Sequence, residues 1–380
     1  MCSASPLHIV HIRQLSSVPE RLRRSWDHCV DKSEAGTVFQ SYAWVSTWWE
    51  YYGYGKTLFI LTVVDGADEI YAIFPGMIIQ KRWLWKKLRI LTFIGTPFND
   101  LNDIPCVPQS IGVHEVICDY LKAHYEEWDV VWFTEVPSES SFLRLLCSQS
   151  FFSPRFIQPS SSHPLVRRRT LLSDNGQSIK EDLRRKLKKL KKRGDVAITL
   201  NHSLPDCHPL LERFIALQKK RCAQTSFSSP FAHSPLKEFW HALIERFQDS
   251  GVLRFATLRL NGEVIAVNCH FIASARMSLY LTTFDSAYHA YSPAMLLLDE
   301  IIRSWQATAM PEVYDFGRGE EEYKHRFADA SALYSEFIAA PHFPAYVAAH
   351  VAWFHIKRRL KKIKVLVAYV RQLKKIWQQI

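Results

Sequence analysis

The residues whose types and spacing best suit chemistry are Ser292 and Pro293, which precede an apolar run. Serine is a favoured N-cap, and proline suits the first helical position because the N–H that it lacks would have no partner there. We therefore predict a helix that begins at Pro293. The next N–H groups, starting at Ala294, are expected to remain free at the positive end of the helix dipole, which makes them a candidate phosphate site.

A second polar cluster follows this helix, in the segment 314–324, Tyr-Asp-Phe-Gly-Arg-Gly-Glu-Glu-Glu-Tyr-Lys. The pattern from about Met277 onward predicts a strand, a tight loop, a helix, a strand and a final helix. Asp315 is expected at the mouth of a central strand, where it either holds a substrate or orients the loop by hydrogen bonding. Arg318 is a candidate phosphate ligand, with an ion pair to Glu320 or Glu321 as the alternative.

The composition predicts a folded protein with an anionic partner. A chain of 380 residues exceeds one ordinary core, and its 48% hydrophobic content excludes general disorder. The net charge of +11 favours nucleic acid, a membrane surface or a phosphorylated cofactor, without choosing among them. The eight cysteines lack a framework spacing, which is typical of reduced thiols. No apolar stretch indicates a secretory signal or a spanning helix, so we expect a cytoplasmic protein, soluble or peripheral to the membrane.

The predicted elements divide into two αβ units and a tail, at residues 1–170, 171–340 and 341–380. The Ser-, Pro- and Arg-rich segment Phe151–Arg169 is expected to end the first unit. Two similar pentapeptides, Glu69–Ile73 and Glu263–Val267, each follow a hairpin turn. Together with a matching order of elements around both copies, they favour a duplicated domain.

Two basic segments have a structural and a functional interpretation each. Ser178 and Glu181 form a capping box before a helix over 179–193, which carries nine Lys or Arg residues around a leucine face. We favour a solvated linker helix there, with tRNA binding as the alternative. The tail has nine Lys or Arg residues, no acidic residue and one apolar stripe, formed by Ile356, Leu360, Ile363, Val367, Val370 and Trp377. This basic amphipathic helix either packs on the protein or lies on an anionic membrane.

Residues 180–330 resemble the GNAT-type acyltransferase domain of the cellulose-biosynthesis (CelD-type) family, which is related to the FemABX peptidyltransferases. The match rests on the basic helix, Asn261–Ala266, Tyr291-Ser292-Pro293, Tyr314-Asp315-Phe316 and the Gly319-Glu320 and Tyr323-Lys324 pairs. Residues 1–165 match more loosely, chiefly through Phe39-Gln40-Ser41. Ala294 departs from the glycine that the family often has, and the Gln-x-x-Gly-x-Gly phosphate loop of simpler GNAT enzymes is absent.

The resemblance implies an α/β fold with tandem GNAT-like domains, mixed central sheets and direct acyl transfer to an amine or hydroxyl. Tyr323 would be the general acid, or a tyrosine packed under its helix. Lys324 would neutralise a phosphate or the developing oxyanion, or would be a solvated lysine. Asp285, which ends the strand before the Ser292 helix, is a weaker base candidate and is otherwise an ordinary loop residue.

The implied donor is acetyl-CoA or another acyl-CoA, bound over Ser292, Pro293 and Ala294 with Arg318 and Lys324. The acceptor would be a small molecule or glycan, such as a sugar or polysaccharide precursor, in a cleft near the polar loop Asn99–Asp103. Two alternatives stay open: a Fem-type transferase that uses aminoacyl-tRNA, and a non-catalytic membrane-associated scaffold in polysaccharide assembly. Histidine and cysteine lack paired ligand spacing, so no metal site is predicted.

Overall fold

The computed structural model describes residues 7–83, 85–108, 110–168, 175–202, 204–223, 229–232, 235–247, 250–308 and 311–377. The elements of the first half are β1 (His8–Ile12), α1 (Glu20–Lys32), α2 (Tyr42–Tyr52), β2 (Thr57–Val64), β3 (Ile70–Trp83), β4 (Lys86–Phe93), α3 (Val113–Ala123), β5 (Val130–Pro137), α4 (Ser141–Ser148) and β6 (Arg155–Arg167). Those of the second half are α5 (Asn175–Lys191), β7 (Val196–Thr199), α6 (Leu204–Cys222), α7 (Leu236–Arg246), β8 (Leu253–Leu260), β9 (Glu263–Ala273), β10 (Arg276–Phe284), α8 (Pro293–Gln306), β11 (Val313–Asp315), α9 (Glu322–His325), β12 (Ala330–Ala339) and α10 (Pro344–Trp377).

All of these strands form one mixed sheet, in the order β1-β2-β3-β4-β5-β12-β6-β11-β10-β9-β8-β7. Only β4 with β5 and β10 with β11 pair in parallel. The order is symmetric: exchanging each strand of the first half with the strand six places later in the chain returns the same sheet. The helices follow the same correspondence, with α3 and α8 each placed before a parallel strand. The predicted α/β fold is confirmed, and the two expected sheets are joined into one.

The middle of the sheet differs from the sequence prediction. The segment predicted to close the first unit is the long strand β6, which pairs with both β11 and β12. The last strand, β12, also pairs with β5 and so completes the first half as well as the second. The part of the sheet formed by each half is therefore completed by β6 and β12, the strand pair at the centre. The predicted boundary at residues 170–171 lies outside the described residues, and a division there stays a prediction.

Local backbone geometry and short-range hydrogen bonds explain two hairpins and the Phe39-Gln40-Ser41 motif. Asp65 Oδ1 accepts from the Ala67 N–H at 2.8 Å, which closes the turn between β2 and β3. Asn261 and Gly262 both have positive φ, as the turn between β8 and β9 requires. Gln40 Oε1 accepts from the Thr37 N–H at 2.9 Å in a capping box before α2. The loosely matching Gln40 motif therefore positions a helix in this chain.

The two halves share a hydrophobic core on one face of the sheet. Trp44 of α2 is fully buried, and its ring lies 5.5 Å from that of Phe239 on α7 and 5.7 Å from that of Phe271 on β9. Ser46 on α2 also accepts from Arg246 on α7 at 2.8 Å. The equivalent helices of the two halves thus pack on each other, so the halves form a single body.

Helix α5 packs more closely than the sequence indicated, and the start of α10 packs on the protein, as one of its two interpretations expected. Helix α5 begins at Asn175, so Ser178 lies inside it and does not start it. Leu183 and Leu190 are buried in the core of the second half, which shows a packed helix rather than a solvated linker. Helix α10 buries Tyr346 and Val347 against strands of the first half, but Ile356 and Leu360 are about half exposed. The remaining side chains of its predicted apolar stripe lie outside those described.

Candidate functional site

The candidate site lies where two parallel strands separate. β11 pairs with β10 only from Arg276↔Val313 to Ser278↔Asp315, while β10 continues to Phe284. The register of β10 with β9 also shifts between Leu279 and Leu281. A gap therefore opens beside the second part of β10, where β11 no longer pairs with it.

The gap leads into a cleft with two connected chambers. The outer chamber, about 550 Å³, is lined by Arg221, Phe284, His289, Ser292, Ala294, Met295 and other residues near the start of α8. The inner chamber, about 380 Å³, is lined by Phe98, Asp100, Trp240, Tyr280, Arg318, Lys324 and their neighbours. Gln218, Thr282, Glu321 and Tyr323 line both chambers. A ligand that fills both chambers therefore passes Tyr323.

The N-terminus of α8 is partly satisfied by its own backbone. The helix begins at Pro293 as predicted, but Ser292 adopts a left-handed conformation and its side chain does not cap the helix. The N–H groups of Met295 and Leu296 both donate to the Ser292 carbonyl, at 2.9 and 3.1 Å. Among the described residues, only the Ala294 N–H of this turn has no acceptor. The predicted row of free N–H groups is therefore reduced to that of Ala294, a residue that lines the outer chamber.

A lysine from the basic helix α5 reaches this helix start. Lys186 Nζ donates to Ser292 Oγ at 3.0 Å and pairs with Asp182 at 2.9 Å. Arg221 of α6 lines the same chamber, with its guanidinium 4.7 Å from the centre of the Phe284 ring. One free N–H group, Arg221 in the chamber and Lys186 beside Ser292 thus lie near the start of α8, and together they favour a negatively charged ligand there.

Tyr323 lies on α9, between the two chambers. Burial, followed by the neighbouring Glu321 carboxylate, raises the pKa of Tyr323 to about 12. The hydroxyl is therefore protonated at neutral pH and can donate a hydrogen bond to a leaving group. The side chain is also partly buried against the core of the second half, so the acid role of Tyr323 stays a prediction beside the packed alternative.

Asp315 is held inside the protein and orients the loop after β11. Its Oδ2 lies 2.5 Å from Arg276 and 3.5 Å from His163, and its Oδ1 accepts from the Gly317 N–H at 2.8 Å. Burial alone would raise the pKa of Asp315, but His163, Arg276 and the Gly317 N–H together hold it well below its usual range. Of the two predicted roles, this geometry fits loop orientation.

Arg318 faces the first half rather than its neighbours in sequence. Its Nε donates to Asp100 Oδ1 at 2.6 Å, its Nη2 donates to the Pro97 carbonyl at 2.8 Å, and its Nη1 lies 3.8 Å from Glu135. The predicted pairing with Glu320 or Glu321 is not found. Burial raises the pKa of Asp100 above its usual range in spite of this cation. The inner chamber therefore contains a carboxyl group of increased basicity, a candidate general base that the sequence analysis did not single out.

Lys324 and Asp285 both have structural partners. Lys324 is buried, donates to the Gly317 carbonyl at 3.3 Å and pairs with Glu321 at 2.9 Å, so the solvated alternative is wrong. Asp285 accepts from the Ala287 N–H at 3.0 Å and pairs with Lys220 at 2.7 Å. Burial opposes ionisation of Asp285, but Lys220 and the Ala287 N–H lower its pKa below the usual value. These contacts make Asp285 a turn-capping residue and a weak base.

The equivalent gap in the first half is closed by the loop Gly95–Ile104. Asn102 donates from its backbone to the Glu135 carbonyl at 2.8 Å and from its side chain to the Thr134 carbonyl at 2.9 Å. Asn99 donates to the Ile94 carbonyl and accepts from Trp44 Nε1, both at 2.8 Å. Of the polar residues predicted to contact an acceptor here, only Asp100 lines the cleft. Asn99 also donates to Asn102 Oδ1 at 2.8 Å, so these two residues connect the ends of β4 and β5, while Asp103 accepts from Ser140 Oγ at 2.8 Å.

Gln218, Arg221 and Glu321 are among the polar cleft residues that the sequence analysis did not assign to the site. Glu321 lies in the glutamate run beside Tyr323, a signal that was visible. Gln218 and Arg221 lie on α6, where nothing in the local sequence separates them from surface residues. In the part of the chain that the structure describes, no group of three or more His, Cys, Asp or Glu side chains could hold a metal ion.

Comparison with solved structures shows the same overall fold. FemX has a TM-score of 0.58 at 10% identity, over 89% of this chain and 98% of that one. L-PGS from Bacillus licheniformis has a TM-score of 0.53 at 12% identity, over 87% of this chain and 95% of that one. A conserved protein of unknown function from Bacteroides thetaiotaomicron VPI-5482 has a TM-score of 0.53 at 12% identity, over 87% and 99%. No curated protein matches the chain.

The described helices include none that is long and apolar enough to cross a membrane.

The CelD-type assignment stays a prediction. Residues 177–325 match the family model for the acetyltransferase (GNAT) domain, and this range contains the separated strands, the start of α8 and Tyr323. The second half of the chain therefore carries a GNAT-type acyltransferase domain.

Proposed function

We propose that the protein transfers an acyl group, acetyl in the simplest case, from acyl-CoA to an amine or hydroxyl acceptor. The observation that carries this proposal is the two-chamber cleft, whose chambers meet at Tyr323. The outer chamber would hold the phosphates of the donor near the Ala294 N–H, Lys186 and Arg221. Its thioester would then extend along β10 toward Tyr323.

The inner chamber would hold the acceptor. Phe98, Trp240 and Tyr280 provide flat apolar walls, and Asp100 provides a carboxylate. This combination suits a ring-shaped acceptor with a nucleophilic amine or hydroxyl, such as the sugar or polysaccharide precursor that the CelD-type resemblance implies. The first half contributes Phe98 and Asp100, so the acceptor side of the site is formed by both halves.

The reaction balances with these residues alone. The acceptor lone pair attacks the thioester carbonyl carbon, and Asp100 takes the acceptor proton, directly or through water. The tetrahedral intermediate collapses by breaking the C–S bond, and the thiolate accepts a hydrogen bond from Tyr323. A thiol of ordinary pKa, about 8.5, is more acidic than Tyr323, so the hydrogen bond stabilises the thiolate without complete proton transfer.

Isothermal titration with CoA and acetyl-CoA tests the donor assignment without a known acceptor. Ala294→Asp places a carboxylate beside the proposed phosphate position, while aspartate suits a helix N-terminus and should not unfold the protein. Micromolar binding to the wild type that is lost in Ala294→Asp is the expected result. Ala294→Asn is the matched control, because it adds similar volume without charge and should keep most of the affinity.

The absence of binding to either thioester would remove the CoA proposal. Equal loss in Ala294→Asp and Ala294→Asn would show that volume, not charge, matters at this position, and phosphate recognition there would be wrong. Lys186→Ala gives a second measurement at the same chamber. It removes one cation without adding volume and should weaken CoA binding by roughly tenfold.

The second candidate donor is aminoacyl-tRNA. Two observations favour it: the basic helix α5 reaches the outer chamber through Lys186, and the Tyr323 pKa of about 12 suits a leaving oxygen better than a thiolate. A ribose alkoxide is far more basic than a thiolate, so proton transfer from Tyr323 would then be favourable. Protection of α5 from proteolysis by charged tRNA, without an effect of CoA, would support this donor.

A further inference from the structure

The β3–β4 hairpin and the start of α10 lie side by side at one edge of the protein. The ring of Trp83 lies 5.5 Å from that of Tyr346, with the two planes nearly perpendicular. A groove of about 190 Å³ runs between them, lined by Lys81, Arg82 and Trp83 on one side and Tyr346, Ala349, His350 and Trp353 on the other. Two segments that are distant in sequence therefore form one surface, the hairpin–helix surface.

Large apolar side chains on this surface are exposed to solvent. Trp85 at the hairpin turn is 86% exposed, and Trp353 on α10 is 58% exposed. Ile356 and Leu360, on the following turns of α10, are each 49% exposed. Exposed single apolar residues are ordinary, but two tryptophans and two aliphatic residues on adjoining segments are typical of an interaction site.

The charges on the same surface are all positive. The exposed basic residues are Lys81, Arg82, Lys86, Lys87, Lys357, Arg358 and Arg359. Neither 81–87 nor 344–377 contains an acidic residue. The neighbouring acidic side chains already have partners: Glu336 is buried and accepts from Trp132 Nε1 at 2.7 Å, and Asp129 pairs with Arg89 at 2.8 Å. Lys86 also lies 3.8 Å from the centre of the Phe343 ring, which connects the hairpin to the residue just before α10.

We propose that the hairpin–helix surface docks the protein on an anionic lipid bilayer. Tryptophan suits the headgroup region, because its ring is apolar and its N–H is polar. Aliphatic side chains such as Ile356 and Leu360 enter the acyl boundary, and the lysines and arginines attract anionic headgroups. RNA would use the positive charge but not the aliphatic residues, since a base gains little from packing on them. The surface is separate from the cleft, so this inference does not depend on the proposed function.

Vesicle sedimentation of the full chain tests the proposal. We expect binding to vesicles of equal parts phosphatidylcholine and phosphatidylglycerol, weak binding to phosphatidylcholine alone, and release by salt. Lys87→Gln and Lys357→Gln, one on each segment, should each weaken binding about fivefold, since each basic residue near such a surface contributes about that factor. Trp85→Ser should also weaken binding several-fold.

Two control variants make comparable changes, Lys to Gln and an aromatic residue to Ser, outside the hairpin–helix surface. Lys32→Gln, at the exposed end of α1, and Tyr54→Ser, at a fully exposed aromatic, should bind vesicles as the wild type does. Loss in Lys357→Gln without loss in Lys87→Gln would overturn the shared surface. Equal binding of the wild type to both kinds of vesicle would overturn the membrane assignment. The assignment would also be wrong if Lys87→Gln and Lys357→Gln weakened binding of tRNA but left vesicle binding unchanged. Thermal unfolding of each variant shows whether its fold is intact.

Discussion

The substitution Asp315→Asn separates the two roles that the sequence left open for this residue. If Asp315 orients the loop, its removal should destabilise the protein; if it holds a substrate, the free protein should be nearly unaffected. Asparagine keeps the size of the side chain and an oxygen for the Gly317 N–H. The change therefore removes mainly the charge that pairs with Arg276 at 2.5 Å.

The expected loss follows from the burial of the pair. Removing one partner of a buried ion pair costs about 3–5 kcal/mol, because the other charge stays in the interior without compensation. The Asp315 side chain is 5% exposed, but that of Arg276 is 23% exposed, so water reaches the cation and favours the lower end, about 3 kcal/mol. An unfolding entropy of about 2.1 cal/mol/K per residue converts this to about 4 °C in Tm for a chain of 380 residues.

Differential scanning calorimetry with Asp119→Asn as the matched control measures this difference. Asp119 pairs with Lys122 at 2.6 Å but is 71% exposed, so its loss should cost less than about 1 kcal/mol. The pH dependence gives a second criterion. Because the folded pKa of Asp315 is depressed, its contribution is present above the unfolded pKa of about 4 and is lost as the pH falls below it. The difference in Tm between the wild type and Asp315→Asn should therefore begin to shrink below about pH 4 and keep shrinking as the pH falls toward the depressed folded pKa.

Equal shifts in Tm for Asp315→Asn and Asp119→Asn would refute the reasoning. A constant difference between wild type and Asp315→Asn across the acid range would also refute it, since the ion pair would then not be its cause. An unchanged Tm combined with lost ligand binding would return Asp315 to the substrate-holding role.

Three further outcomes are expected. Tyr323→Phe should lower turnover by roughly 10²–10³ while leaving donor affinity nearly unchanged, as separate rate and titration measurements would show; unchanged turnover would remove Tyr323 as the hydrogen-bond donor to the leaving group. Asp100→Asn should remove the acid limb of the kcat/KM profile, because the proposed base must be deprotonated to act and burial raises the pKa of Asp100. Gly95→Ala should cost about 2–4 kcal/mol in unfolding measurements, since its Cβ would lie 2.0 Å from Asn99 Oδ1. Gly112→Ala, at a positive φ with open space around it, should cost only about 1 kcal/mol, and equal costs would show that Asn99 is not the obstacle.

The sequence predicted features that depend on local chemistry. The start of α8 at Pro293 and the hairpin at Asn261-Gly262 follow from side chains acting on their own backbone. The α/β class could also be predicted, because the sequence patterns of strands and helices alternate as the elements of the structure do. The conformation of Ser292 could not be inferred in this way, because its hydroxyl is engaged by Lys186, 106 residues earlier in the chain.

Strand β6 shows where local signals mislead. Pro159 and Pro164 indicate a loop, since proline cannot donate to a sheet ladder. Pro159 pairs with Ser335 where the register with β12 shifts, so the irregularity accommodates the missing donor.

The partner of Arg318 could not be predicted from local sequence either. Asp100 lies 218 residues earlier and becomes its neighbour only through the shared sheet.

The sheet is symmetric, but its two equivalent gaps differ: one is open and the other is filled. Both halves separate two parallel strands, and the order of elements gives each an equivalent gap. In the first half, Asn99 and Asn102 fill the gap with hydrogen bonds to backbone carbonyls, while the loop between them directs Asp100 into the gap of the second half. Closing one gap thus supplies a carboxylate to the other, and Arg318 fixes its position. The first half therefore contributes side chains to the candidate site rather than being a second copy with a gap of its own.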